Sequence, residues 1–196
     1  MTTWRCFIAI DLSTEVRRPL ASRLDRLRSL PGQECMRWVQ PDSIHLTLEF
    51  LGDLLPDRVK DLAGMLDRAC VAQEPFRLRL GGLGCFPDPR RPRVLWVGLE
   101  EPTGSLQRLQ GAIRKGCTDL GLEVEKRAFS PHLTLGRVRR EAGPAAADFA
   151  SRVLGDPEAM PSGEMAAEMV HLYRSELRPT GAVYTRLYSA ALAAAS

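Results

Sequence analysis

Apolar and polar residues alternate in the same way along two short stretches of this chain. The tetrapeptide His-Leu-Thr-Leu occupies residues 45–48 and again residues 132–135. In an extended strand successive side chains point to opposite faces, so each copy predicts a strand with two leucines on a buried face. The histidine and the threonine of each copy then share the other face. Two of the three histidines in the protein belong to this repeat.

The rest of the pattern predicts helices and strands in a loosely repeated order. Stripes of apolar residues at helical spacing predict four helices, and runs of strand-forming residues predict the strands between them. The helices are predicted at 13–30, 56–73, 103–120 and 145–154. The strands are predicted at 4–12, 36–39, 44–51, from 76 onwards, 94–99, 122–126 and 132–138, followed by a terminal hairpin of 165–177 and 182–192.

Each half of the chain therefore has the order strand, helix, strand, histidine strand, helix. This order predicts an α+β fold with two pseudo-symmetric lobes of antiparallel sheet, outer helices and an active-site cleft between the lobes. No linker separates the halves, and we expect residues 1–196 to form a single bilobal domain. Pro19 is expected to kink the first helix or to delay its start. The glycine-rich residues 81–84 lack a Gly-Lys-Ser/Thr ending and predict a bulged strand and a turn.

Composition narrows the class of protein. No apolar run is long enough to span a membrane, and the first residues lack the features of a signal peptide, so a cytoplasmic protein is expected. The five cysteines are spread singly and predict reduced core residues, with no disulfide framework or zinc site. A net charge of +3 does not imply a broad electrostatic grip on duplex nucleic acid.

The doubled tetrapeptide carries the candidate chemistry. One His-x-Thr strand is a weak signal, because a lone histidine on a strand is more often structural. Two copies, each shortly after a proline, point to function instead. If the two strands present their histidines to one cleft, one imidazole can take a proton from a nucleophile and the other can give one to a leaving group. Thr47 and Thr134 can donate hydrogen bonds to a phosphodiester, although the residues alone do not say which histidine is the base.

Residues 38–41 with 45–52, and residues 129–137, resemble the two signature motifs of the RNA 2′,3′-cyclic phosphodiesterase family. This family is also called 2′-5′ RNA ligase and belongs to the two-histidine phosphoesterases. Residues 7–10, 92–98 and 172–177 are also typical, so the resemblance covers nearly the whole chain. Neither histidine motif departs from the family pattern.

The resemblance implies metal-independent hydrolysis of the 2′,3′-cyclic phosphate end of RNA or an oligonucleotide to a 2′-phosphomonoester. It implies His45 as the proton donor to the 3′-oxygen and His132 as the proton acceptor. Thr47, Thr134 and Arg137 are the implied substrate-binding residues. No cofactor and no metal are implied, and ligation would be the nucleotide-independent reverse reaction that forms a 2′-5′ bond. We expect the RNA end as the partner, no membrane association and a monomer.

The sequence leaves open the placement of three side chains and the choice among the proposed function and two alternatives. Simple alternation puts Arg137 on the face opposite His132, unless Gly136 permits a bulge. Phe50 can stack on a base, but core packing is the favoured prediction, and His171 is predicted to be structural or at the surface. The alternative functions are a phosphodiesterase of small cyclic phosphates and a non-catalytic module that binds RNA 3′ ends.

Overall fold

The structure is a computed structural model that describes residues 2–156, 162–178 and 181–193. Within these ranges the chain forms nine strands and four helices. The strands are β1 (Trp4–Asp11), β2 (Met36–Trp38), β3 (His45–Leu54), β4 (Phe76–Phe86), β5 (Val94–Glu100), β6 (His132–Val138), β7 (Glu164–Ala167), β8 (Met169–Arg178) and β9 (Gly181–Ala191). The helices are α1 (Thr14–Ser29), α2 (Arg58–Val71), α3 (Ser105–Asp119) and α4 (Ala145–Leu154).

The strands form one antiparallel sheet whose two halves are the predicted lobes. The strand order is β7-β4-β5-β6-β3-β1-β8-β9, and β2 also pairs with β6. The lobes meet where Leu46 of β3 pairs with Leu133 of β6. The α+β class with two pseudo-symmetric lobes and outer helices is therefore confirmed. The lobes are not the two halves of the chain, because the N-terminal strands β1 and β3 share a lobe with the C-terminal strands β8 and β9.

All four helices pack on the face of the sheet that carries the leucines of the repeat. Leu46, Leu48, Leu133 and Leu135 belong to one large buried cluster that contains the apolar faces of α1 to α4. Burial of this surface is the main favourable contribution to folding. The opposite face has a smaller cluster of Phe7, Ala9 and Tyr173. None of the described helices is long and apolar enough to cross a membrane.

Two of the predicted strands are wrong. Residues 122–126 are not a strand, and the N–H of Glu125 donates to the Glu49 carboxylate instead of to a neighbouring strand. The predicted strand 165–177 is divided at Glu168, because β7 pairs with β4 in one lobe and β8 pairs with β1 and β9 in the other. Residues 179 and 180, in the predicted turn of the hairpin, lie outside the described residues.

The proline and glycine predictions have mixed outcomes. Helix α1 begins at Thr14 and includes Pro19, so the proline does not delay the start of the helix. The pairing of β4 with β5 shifts register between Leu80 and Leu83, which confirms the predicted bulge. No turn occurs in residues 81–84, because β4 continues to Phe86.

The five cysteines are free and buried, as predicted for reduced core residues. Burial raises the pKa of the Cys6 thiol to about 11 and that of the Cys70 and Cys117 thiols to about 12. Because the thiolate is the nucleophilic form, these side chains act as small apolar packing groups.

A buried ion pair joins β3 to α3. The side chain of Glu49 is only 1% exposed, and Arg114 of α3 donates to its Oε2 at 3.2 Å. The N–H of Glu125 donates to Oε1 at 3.3 Å. Removing one partner of a buried pair is strongly destabilising, since the other charge loses its compensation. This pair therefore fixes α3 and the segment after it against the back of the histidine strand.

Replacing Arg114 by Met is expected to lower the free energy of unfolding by about 3 kcal/mol, because the Glu49 carboxylate stays buried without its cation. Urea unfolding monitored by circular dichroism measures the change. Lys115→Met is the matched control, since Lys115 pairs with Asp119 at an exposed site of the same helix. The control should change stability by less than about 1 kcal/mol. Equal stability of the two variants would contradict a structural role for the buried pair.

Candidate active site

The register of β3 and β6 brings the two repeats together on one face. Counting outward from the pair Leu46–Leu133 puts Thr134 opposite His45 and His132 opposite Thr47. Both leucines are fully buried, whereas the histidines and threonines are partly exposed. The four polar side chains therefore lie on the face away from the helices, which we call the histidine face.

Each histidine is anchored through Nδ1 by the turn that precedes its strand. Nδ1 of His45 lies 2.9 Å from the carbonyl oxygen of Ser43, and Nδ1 of His132 lies 2.7 Å from that of Ser130. A carbonyl oxygen only accepts, so Nδ1 carries the proton in both rings. Nε2 is then the nitrogen that is available for proton transfer, at both histidines alike.

Aromatic rings pack against His45 on the first lobe, which consists of β3, β1, β8 and β9; the second lobe consists of β7, β4, β5 and β6, with β2 beside β6. The imidazole stacks on Phe7 of β1 with ring centroids 4.7 Å apart, and Tyr184 of β9 meets it edge-on at 5.3 Å. Phe7 in turn stacks on Tyr173 of β8 at 5.3 Å. These contacts fix the plane of the ring, because a packed aromatic neighbour leaves few free rotamers.

His132 has an equivalent aromatic support on the second lobe. Phe86 of β4 meets the imidazole edge-on at 5.0 Å, and Trp96 of β5 lies 6.2 Å from it. Trp96 itself lies across Gly84 of β4, where any Cβ would overlap the indole ring. The glycine is therefore needed for this close approach, which explains one glycine of the 81–84 run.

The charges nearest the two rings have opposite signs. Burial lowers the pKa of both histidines. At His45 the hydrogen bond to the Ser43 carbonyl and the carboxylate of Asp11 act in the opposite direction and raise the pKa. At His132 the hydrogen bond to the Ser130 carbonyl likewise raises the pKa, whereas the guanidinium of Arg137 lowers it. The local charges therefore favour the imidazolium at His45 and the neutral ring at His132.

Asp11 is a residue of this site that sequence reasoning missed. It ends β1 directly opposite His45 in the β1–β3 register, and both residues line a cavity of about 350 Å³. The hydroxyl of Tyr173 donates to the Asp11 carboxylate at 2.8 Å, and Nη2 of Arg186 donates to it at 2.8 Å. His171, which is 6% exposed, has its Nε2 at 3.7 Å from the same carboxylate. No sequence motif marked Asp11, because its role depends on a strand partner that is distant in sequence.

A bulge in β6 turns Arg137 towards the histidine face. Trp96 of β5 pairs with Thr134 whereas Leu95 pairs with Gly136, so one residue of β6 is left without a partner. Leu135 and Gly136 are both buried, and Arg137 is exposed. After the bulge, the residues that face each side of the sheet are exchanged, so Arg137 lies on the same face as His132. The effect of Arg137 on the pKa of His132 agrees with this placement.

An equivalent bulge in β3 places Phe50 on the histidine face. Ala9 pairs with Thr47 whereas Ile8 pairs with Glu49, which leaves Leu48 as the extra residue. Glu49 then points to the helices, and Phe50 is 57% exposed. The favoured prediction of core packing for Phe50 is therefore wrong. Gly136 indicated that a bulge in β6 was possible, but the matching residue of β3 is Glu49, so no glycine marked the bulge in β3.

The arrangement suits acid-base chemistry at a phosphoryl centre. Two imidazoles, two hydroxyls and one guanidinium share one face, which supplies a base, an acid and hydrogen-bond donors. Within residues 2–156, 162–178 and 181–193, no three histidine, cysteine, aspartate or glutamate side chains cluster in a way that could hold a metal ion. The structure brings the predicted histidines, threonines and Arg137 onto one face, and it adds Asp11, which the sequence did not indicate.

Comparison with known proteins identifies the family. A family model described as the 2′-5′ RNA ligase superfamily matches residues 16–178. A Methanothermobacter thermautotrophicus protein named RNA 2′,3′-cyclic phosphodiesterase is 34% identical over 181 residues, covering 92% of this chain and 95% of that protein. The Thermus thermophilus protein of the same name is 35% identical over 189 residues, covering 93% and 87%.

Solved structures agree with this assignment. The crystal structure of TT0787 of Thermus thermophilus has a TM-score of 0.77 with 31% identity, covering 96% of this chain and 97% of that one. Escherichia coli LigT complexed with 3′-AMP has a TM-score of 0.76 with 30% identity, covering 97% and 98%. Since the family match and both relatives extend over most of the chain, this protein belongs to the 2′-5′ RNA ligase superfamily.

Proposed function

We propose that the protein hydrolyses the 2′,3′-cyclic phosphate end of RNA or of an oligonucleotide to a 2′-phosphomonoester. The observation that carries this proposal is the pair of histidines on adjoining strands, each anchored through Nδ1 with Nε2 left available. Relatives named RNA 2′,3′-cyclic phosphodiesterase, at 34% and 35% identity, support the substrate class. LigT of Escherichia coli, solved with 3′-AMP and with phosphate, supports a site for nucleotide and phosphate chemistry.

The proposed reaction is an in-line displacement at phosphorus. Nε2 of His132 takes a proton from water, the water oxygen bonds to phosphorus and the bond from phosphorus to the 3′-oxygen breaks. Protonated His45 gives its Nε2 proton to the departing 3′-oxygen, which leaves the phosphate on the 2′-oxygen. Thr47 and Thr134 donate hydrogen bonds to the phosphoryl oxygens, where negative charge accumulates. Ligation follows the same displacement with a 5′-hydroxyl in place of the water: its oxygen bonds to phosphorus, the bond to the 3′-oxygen breaks and a 2′-5′ linkage forms.

The signs of the neighbouring charges support His45 as the acid. The Asp11 carboxylate faces His45 and stabilises its imidazolium, whereas the matched partner of His132 in β5 is Gly98. Arg186 offsets part of this effect through its ion pair with Asp11. Asp11 is therefore a positioning residue that acts through His45. A bound phosphodiester adds a negative charge that raises the pKa of both rings above that in the free enzyme.

The remaining groups around His45 are Tyr173, Tyr184, His171, Arg17 and Asp42. Burial raises the pKa of both tyrosines, so they are neutral near pH 7. Burial lowers the pKa of the His171 ring, which favours its neutral form. Arg17 and Asp42 lie on the rim of the cavity and pair with each other at 3.5 Å. Asp11 and Arg186 are therefore the two opposite charges near His45, and replacing each in turn separates their effects on the pKa of the His45 ring.

Two further residues complete the proposed site. Arg137 contacts the terminal phosphate, for which the planar guanidinium is suited. Phe50, exposed on the same face beyond His45, offers an aromatic surface on which a base can stack. The ring of Phe50 lies 6.4 Å from that of Phe7, so it extends the aromatic support of His45 towards solvent.

Replacing either histidine by alanine is expected to lower kcat by about 100-fold or more, since each removes one proton-transfer step. The assay uses an oligonucleotide with a 2′,3′-cyclic phosphate end in excess EDTA, and mass spectrometry with a 2′-phosphate standard identifies the product. Wild-type activity should be unaffected by EDTA. Retained activity in both His45→Ala and His132→Ala would contradict the mechanism.

The same assay separates the alternative functions. A phosphodiesterase of small cyclic phosphates would turn over mononucleotides and leave oligonucleotide ends unchanged. A non-catalytic module would bind the cyclic end, and mass spectrometry would recover the RNA unconverted.

The pH dependence of kcat/KM is expected to be bell-shaped with its maximum below pH 6.5. The profile reports the free enzyme, in which burial lowers the pKa of both rings from the usual 6.5. Activity should fall at lower pH as His132 becomes protonated, and at higher pH as His45 loses its proton. A profile that is flat between pH 5 and 9 would argue against paired imidazoles.

Asp11→Asn is expected to move the alkaline limb of this profile to lower pH, because loss of the carboxylate disfavours the His45 imidazolium. Arg186→Gln should move the same limb to higher pH, since the Asp11 charge is then unopposed. The measurement is kcat/KM across pH for both variants and the wild type. If these variants move the acidic limb instead, His45 is the base and the assignment is reversed. Loss of packing alone would not shift a limb in opposite directions.

A further inference from the structure

The exposed arginines on the strands of the second lobe fall into two kinds. Arg77 of β4 pairs with Glu164 of β7 at 3.3 Å, and Arg79 pairs with Glu100 of β5 at 3.3 Å. These side chains are solvated and compensated, as surface charges on a sheet usually are. They need no ligand to explain them.

Arg37 of β2 and Arg137 of β6 are different. They are directly opposite each other in the β2–β6 register, and both are exposed. In the part of the chain that the structure describes, neither has an ion pair or a hydrogen bond with an acidic side chain. Like charges directly opposite each other on neighbouring strands are destabilising. A polyanion with one phosphate at each guanidinium group would offset this repulsion.

Both arginines belong to the histidine face. A Cβ on Gly136 would contact Met36 and Trp38 at 3.1 Å, so these two β2 side chains lie on the helix side of the sheet. Trp38 also meets Phe149 of α4 on that side. Because side chains alternate along a strand, Arg37 between them projects to the opposite face.

Arg137 lies between Arg37 and the two histidines. The charge of Arg137 affects the pKa of His132 on its own lobe and that of Tyr184 on the other lobe. Arg137 therefore lies near the meeting point of the two lobes. Arg37 lies one strand beyond it, at the distance of one strand spacing of about 5 Å. A polyanion that reaches the histidines can meet Arg137 first and Arg37 next.

We propose that Arg37 forms a second phosphate subsite next to Arg137, and that it binds the internucleotide phosphate on the 5′ side of the cyclic end while Arg137 contacts the terminal phosphate. This inference rests on the proposed function and makes its substrate more specific. A mononucleotide lacks such a phosphate, so oligonucleotides with a 2′,3′-cyclic end are the preferred substrates. The contact is electrostatic and reads the RNA backbone without regard to base identity.

The test compares adenosine 2′,3′-cyclic phosphate with a trinucleotide that has the same cyclic end. We expect wild-type kcat/KM to be higher for the trinucleotide, and Arg37→Gln to lower the ratio of trinucleotide to mononucleotide kcat/KM by about fivefold. Arg37→Glu should lower the ratio further. Arg68→Gln, which removes an equal charge from the exposed surface of α2, is the matched control and should keep the wild-type ratio.

Salt dependence provides a second readout that a structural role would not change. Loss of one phosphate contact should reduce the slope of log kcat/KM for the trinucleotide against log salt by about 0.7. The variant should fold, because removing Arg37 relieves a like-charge contact, and thermal unfolding checks this.

The outcomes separate the subsite from the proposed function. If the wild type hydrolyses both substrates and Arg37→Gln keeps the wild-type ratio and salt slope, the subsite is wrong and the proposed function stands. If the wild type hydrolyses neither substrate, the proposed function is wrong and the subsite is lost with it. A reduced ratio with a reduced salt slope, together with an unchanged Arg68→Gln control, supports the subsite.

Discussion

The site depends on one contact in the sheet, the pairing of Leu46 with Leu133. This pair joins the two lobes, and it fixes which face of each strand is buried. A register slip of one residue in either strand would turn that strand's histidine into the core and its leucines into solvent. The large apolar core on the helix side therefore opposes any such slip. The energy that stabilises the fold is the same energy that keeps both imidazoles on one face.

The bulges adapt this regular frame to different purposes in each lobe. Both follow the threonine of the repeat and reverse the alternation, so the first residue after the extra leucine is buried and the next is exposed. In β3 the buried residue is Glu49, which holds α3, and the exposed one is Phe50. In β6 the buried residue is Gly136, which leaves room for β2 to pack closely, and the exposed one is Arg137. The same kind of β-bulge thus exposes an aromatic ring in one lobe and a guanidinium group in the other.

Features that depend only on neighbouring residues could be predicted from the sequence, whereas features that depend on a distant strand partner could not. The alternation within residues 45–48 and 132–135 determines the faces of the histidines and threonines without reference to any other strand. The strand predicted at 122–126 was wrong, and the strand predicted at 165–177 was divided, because pairing partners are not encoded in alternation. Asp11 and Arg37 were missed for the same reason. Each matters only through the residue opposite it, and those partners are 34 and 100 residues away along the chain.

The pseudo-symmetry of the lobes makes the acid-base assignment a question about local charge. The two rings have the same tautomer and the same kind of anchor, and each packs against two aromatic side chains, so none of these features distinguishes an acid from a base. The difference arises at the strand partner, which is Asp11 for His45 and Gly98 for His132, and at Arg137, which acts on His132. The proposed opposite proton-transfer roles therefore depend on unequal charges. Asp11 lies on the neighbouring strand β1, and Arg137 lies on β6 beyond the repeated tetrapeptide.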